Sequence, residues 1–169
     1  MGLFLKTLFA LIFVGVFGVT STLAQSVQVL GDYRDWSAFT ANDGTGPICF
    51  AMSKPKTVEP IPDGYTQAYV YITHRISEGL RGEFNLIAGY EFAPDSVGVA
   101  KVGSNVFDLF INGDAAWLAD PSEGENFARR LRAGSSLIIE GTSALGLKIV
   151  QTYSLSGATA ASRAIDGAC

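Results

Sequence analysis

Two cysteines constrain this chain more than any other feature. Cys49 lies inside the apolar run "GPICFAMSKP", and Cys169 is the last residue, in "AIDGAC". What two such thiols do depends on the compartment they meet, and the front of the chain speaks to that. In "MGLFLKTLFALIFVGVFGVTSTLAQS", Lys6 supplies a positive start, and Leu8 through Val19 form an apolar run. The run has the length of a signal-peptide core and falls short of the ~20 residues that span a bilayer. Thr22-Leu23-Ala24 places small residues where a signal peptidase reads, so cleavage is expected before Gln25. Residues 1–24 are read as a leader and 25–169 as one mainly β domain, with an uncleaved membrane anchor as the competing reading.

An exported chain with two cysteines most simply makes one disulfide. Pairing Cys49 with Cys169 closes a loop of about 120 residues, for which chain entropy gives an upper figure of about 4–5 kcal/mol. Pairing also gives a reason for a cysteine at a terminus that otherwise frays. The alternatives are two free thiols, a catalytic thiol served by the single histidine, His74, or a metal held by one His and two Cys without any usual ligand spacing.

The mature chain retains about 145 residues, enough for one core. Loss of Lys6 leaves eleven cations against sixteen acids, a formal charge of about −5. An acidic chain without a basic stripe argues against nucleic acid and anionic membrane surfaces as partners.

Hairpin spacing dominates the rest. "YRDWSAFTANDGTGPICFAMSKP" alternates Trp36, Ala38 and Thr40 against Ser37 and Phe39, turns at "NDGTG" and resumes through Ile48 to Met52. "KPKTVEPIPDGY" reads as a surface connection. "QAYVYITHR" reads as a central strand with both faces covered, and "GEFNLIAGYEF" as the next. Two hairpins follow, turning on Gly103-Ser104 and on Asn112-Gly113. "DPSEGENFARRLRAG" predicts a helix with Asp120 as N-cap, Pro121 at the first helical position and Gly134 as its end. "SSLIIEG" and "LKIVQTYSLSG" predict strands around the turn "GTSALG". "ATAASRAIDGAC" predicts a short helix stopped at Gly167 that delivers Cys169 to the sheet. Without βαβ alternation, the expected fold is mainly β: an antiparallel sandwich or partly open barrel with one short helix and a small C-terminal helical segment.

In this order, a leader, "DWSAF", "CFAMSKPK", "AYVYITHR", "GDAAWL", "GTSALG", "TYSLSG" and a cysteine near the C-terminus resemble the bacterial invasion-associated locus B family. The resemblance covers most of the mature chain, and Cys49 and Cys169 match the family's usual cysteine places. It implies a small exported β-protein of the alphaproteobacteria, periplasmic or extracellular, in a family some of whose members are linked to entry into host cells. It carries over no catalytic residues, cofactor or metal.

Candidate chemistry is sparse. A serine hydrolase needs a base, and His74 is the only imidazole; no G-x-S-x-G elbow accompanies it. Its expected place is a packed ring with hydrogen-bond partners. Asp108, Asp114 and Asp120 flank a hairpin and read as solvated turn acids. Phosphate-binding loops are missing. Two features suit a partner: Arg129, Arg130 and Arg132 at a helix end, and Lys54 with Lys56 in a proline-rich loop, each set against the reading that these cations are solvated. Tyr65, Tyr69 and Tyr71 read as a core-lining pair plus a covered outer face rather than a recognition face. The function expected is that of an exported, non-enzymatic protein binding a protein or envelope component, with a periplasmic hydrolase using His74 as the alternative.

Overall fold

The computed structural model describes residues 26–42 and 44–169; the expected leader lies outside the described residues. The strands are β1 (Gln28–Tyr33), β2 (Trp36–Asn42), β3 (Pro47–Ser53), β4 (Thr57–Glu59), β5 (Tyr69–Arg75), β6 (Leu80–Ile87), β7 (Gly98–Val102), β8 (Asn105–Asn112), β9 (Ala115–Leu118), β10 (Ser136–Thr142) and β11 (Lys148–Ser154). Helix α1 (Gly124–Ala133) lies between β9 and β10, and α2 (Ala158–Ala168) follows β11. All ladders among the described residues are antiparallel, within one sheet ordered β1-β2-β3-β5-β6-β9-β8-β7-β10-β11-β4.

That order forces the sheet to roll. Strands β3 and β4 are joined only by Lys54, Pro55 and Lys56, a link that reaches about 14 Å at full extension. In a flat sheet the two would stand eight strand spacings apart, about 38 Å. The sheet therefore curls until its ends meet: Trp36 Nε1 donates to Ser154 O at 2.9 Å, Asp35 N to Ser156 O at 3.2 Å and Lys56 N to Thr152 O at 2.7 Å. No ladder joins the two ends among the described residues, so the expected mainly β fold takes the form of one curled, unclosed sheet.

Strand alternation supplies the core. Trp36, Ala38, Cys49, Ala51, Val70, Ile72, Phe84 and Leu86 all turn inward. Both helices pack on this inner side. Phe127 and Leu131, four apart on α1, enter the core, and Phe127 meets Phe84 at 4.6 Å and Phe107 at 4.9 Å between ring centroids. Asp120 accepts from Ser122 N–H at 2.9 Å and starts a 3₁₀ turn, Pro121–Glu123, that leads into α1. Helix α2 lies across β1, β2 and β3 and buries Ala158, Ala161 and Ile165. Its close approach depends on Gly157, whose φ of +98° suits glycine and where a Cβ would stand 1.7 Å from Tyr33 O. The interior polar side chain Gln151 is satisfied, giving to Ala88 O at 2.7 Å and accepting from Tyr153 O–H at 3.2 Å.

The local expectations need four adjustments. "KPKTVEPIPDGY" is not only a connection, because Thr57–Glu59 pairs with β11. Strand β1 precedes the hairpin where none was expected. The turn expected on Asn112-Gly113 sits on Gly113-Asp114, since Asn112 pairs with Ala115 and only Gly113 takes positive φ. Gly167 lies within α2 rather than stopping it.

Candidate binding surfaces

A clasp ties α2 to the inner side of the sheet. Cys49 on β3 and His74 on β5 are direct register partners. The C-terminal end of α2 offers Asp166 in its last turn and Cys169 as the residue that caps it, three apart and so on one side. Cys169 bonds to Cys49 with a Cα–Cα distance of 6.0 Å, and Asp166 Oδ1 lies 2.8 Å from His74 Nε2. Arg81 Nη2 donates to Cys169 O at 2.9 Å. The disulfide expected from the two cysteines is thus present.

The imidazole in this clasp is fully occupied. Gly82 N–H donates to His74 Nδ1 at 2.9 Å, so that nitrogen holds the lone pair, and Nε2 carries the proton given to Asp166. A general base needs a lone pair within reach of a substrate proton. Here the lone pair faces a backbone amide, and the ring is only 5% exposed.

Among the described residues, neither helix packs on the other side of the sheet. One register row crosses six strands: Ser37, Met52, Tyr71, Asn85, Trp117 and Phe110. Beside it, Phe39 stacks on Phe50 at 5.1 Å, and Phe50 reaches Tyr71 at 6.2 Å. Tyr69 lies 6.1 Å from Tyr71 and carries Lys54 Nζ 5.6 Å from its ring centroid. Trp117 and Phe110 end the row 6.5 Å apart. Phe110 is 59% exposed and the other aromatic rings of this set are half-buried. Partial burial, then the neighbouring Tyr69, raises the Tyr71 phenol above its ordinary range. Tyr69 and Tyr71 therefore lie on a half-open outer face, where a covered one was expected. Tyr65 instead packs against the core and accepts from Ala68 N–H at 3.2 Å.

The two cationic sets stand on opposite sides of this sheet. Lys54 belongs to the outer face through Tyr69, and Lys56 is committed to Asp35, whose carboxyl is held below its usual range chiefly by that hydrogen bond. Arg129, Arg130 and Arg132 are exposed on α1, whose apolar face packs inward; Arg129 donates to Asn126 Oδ1 at 3.1 Å. The structure does not bring the lysines and arginines together. Asp108 and Asp120 line a common hollow of about 520 Å³, while Asp114 sits in the β8–β9 turn.

A second, larger hollow of about 840 Å³ adjoins the first, sharing Asp108 and Ala119. Its exposed apolar side chains are Phe110 and Val97, and its acids are Glu91, Asp95 and Asp108. Phe110 thus ends the aromatic row and lines the groove. Sequence reading missed this surface. Its trace was present in the outward alternation of Phe39, Phe50, Tyr71 and Phe110, but alternation alone does not say which face the helices will cover. Among the described residues, no group of three or more His, Cys, Asp or Glu is placed to hold a metal ion, and no helix is long and apolar enough to cross a membrane.

No family model matches the chain, and no curated protein does. Among solved structures, it is similar to the crystal structure of invasion associated protein B from Bartonella henselae, with a TM-score of 0.57. The likeness covers 83% of this chain and 97% of that one at 16% sequence identity, and it is a likeness of fold. It agrees with the resemblance drawn from the ordered sequence pieces.

Proposed function

We propose that this chain is an exported, non-enzymatic protein, periplasmic or extracellular once its leader is cleaved, that acts by binding a protein or envelope component. The observation that carries the reading is the half-buried aromatic row on the outer face, where neither helix of the described residues packs. Contiguous apolar surface that reaches solvent marks contact sites, and aromatic side chains supply much of the energy of protein interfaces. The disulfide suits an oxidising compartment. Full engagement of both His74 ring nitrogens removes support from a hydrolase using that ring as base. Invasion associated protein B lends its fold to this reading, at 16% sequence identity.

The test is cross-linking in intact cells of the native bacterium, comparing wild type with Phe50→Ser/Tyr71→Ser and with Arg129→Ala/Arg130→Ala/Arg132→Ala. Sequencing the exported protein should place its N-terminus at Gln25. A discrete cross-linked species should vanish with the aromatic pair and persist with the arginine set. Equal recovery from all three proteins, or a protein retained in the cytoplasm, contradicts the proposal.

A further inference from the structure

The outer face ends in a groove whose chemistry is one-sided. Along it stand three large apolar side chains in water: Phe110, 59% exposed, Val97, 66%, and Val106, 58%. Beside them stand the carboxylates of Glu91, Asp95 and Asp108, none of which joins an ion pair among the described residues. The adjoining hollow adds Asp120, one oxygen of which accepts from Ser122 N–H, and Glu123, one oxygen of which accepts from Asn126 Nδ2. No lysine or arginine lines either hollow among the described residues. The floor follows the solvent face of β8, eight residues or about 26 Å of extended chain.

We propose that this groove takes an extended, basic protein segment. Its apolar side chains pack on Phe110, Val97 and Val106, and its lysines or arginines meet Glu91, Asp95 and Asp108. The inference rests on the binding role proposed above and specifies the chemistry of the partner. The charge decides among occupants. Phosphates of nucleic acid or of anionic lipid would meet carboxylates of like sign, whereas a basic segment meets opposite charge at Glu91, Asp95 and Asp108; Lys101, opposite Val106 on β7, is engaged by Glu140 at 2.6 Å. A strand of period two suits such a floor, with alternate side chains facing the apolar residues and the acidic rim.

The probe is a fluorescein-labelled eight-residue peptide alternating lysine with valine and phenylalanine, titrated with the mature, oxidised chain and read by fluorescence anisotropy. One control peptide replaces lysine by glutamate, and another keeps lysine but replaces the apolar residues by serine. The lysine–apolar peptide should bind and weaken as ionic strength rises. Both controls, the Glu91→Gln/Asp95→Asn/Asp108→Asn variant and Phe110→Ser should each bind about tenfold or more weakly. Asp108→Asn alone, a single surface change, should weaken binding in the same direction and keeps the test open if the triple variant folds poorly. Failure of the lysine–apolar peptide to bind, unchanged affinity in the carboxylate variants, or equal binding of the serine control overturns the proposal. So does a concentration-dependent dimer abolished by Phe110→Ser, which would make a second copy the occupant. If the groove fails while cross-linking still depends on Phe50 and Tyr71, the proposed function stands and only this partner chemistry falls.

Discussion

The two faces of the sheet solve opposite problems. On the inner face, α1 and α2 cover the apolar residues, Gln151 and Tyr153 satisfy each other, and the clasp at Cys49 and His74 pins the last turn of α2. On the outer face, Phe39, Phe50, Tyr69, Tyr71, Trp117 and Phe110 meet one another and water. A folded chain gains little by leaving aromatics half-wet, whereas an interface gains much. The contrast separates residues that hold the fold from residues free to serve a partner.

The sharpest division comes from removing the clasp. Cys49→Ala/Cys169→Ala is expected to cost up to about 4–5 kcal/mol, read as a lower midpoint of urea unfolding. Peptide binding at the groove, measured where the variant is still folded, should not change. Next is Phe127→Ala, which removes the ring between Phe84 and Phe107 and should cost about 3–4 kcal/mol in the same assay. His74→Gln cannot keep both the Asp166 and Gly82 contacts and should cost about 1–3 kcal/mol. A catalytic His74 would instead reveal itself as turnover lost with stability retained. On the outer face, Phe50→Ser should cost about 1–2 kcal/mol, less than Phe127→Ala, while abolishing cross-linking. A loss as large as that of Phe127→Ala would break the comparison, because the outer rings would then be core.

The smallest effect concerns pH. Asp35 is titrated at a lower pH in the folded chain than when unfolded, chiefly because Lys56 hydrogen-bonds its carboxylate. Its contribution is therefore present above the unfolded carboxylate pKa of about 3.9 and is lost as pH falls through the lower folded value. The pair is exposed, so the effect should be slight. Asp35→Asn should flatten the stability profile only in that acid window, seen by thermal melts from neutral to acid pH.

Much of this was legible in local sequence. The Trp36–Ser53 hairpin, the Gly103-Ser104 turn, the Asp120 cap and the terminal helix follow from alternation, turn chemistry and capping. Strand β1 escaped because its exposed Gln28, Val29 and Asp32 show no clean alternation. Strand β4 escaped because three residues before a proline form a strand only against β11, about ninety residues away. Gly167 misled because the stop signal is local, while the final turn of α2 is held by the Cys169 and Asp166 tethers. The outer face escaped for a similar reason: the helices' choice of side is a long-range outcome, fixed by where Phe127 and Ile165 find room.

Hydroxyl-radical footprinting in intact cells and on the purified protein tests the division of faces most directly. The account predicts that Phe50, Tyr71, Trp117 and Phe110 oxidise readily in the purified chain and are protected in the native setting, while Arg129, Arg130 and Arg132 show the same reactivity in both. Protection confined to the α1 arginines, or equal oxidation of the aromatic row in both settings, would contradict it.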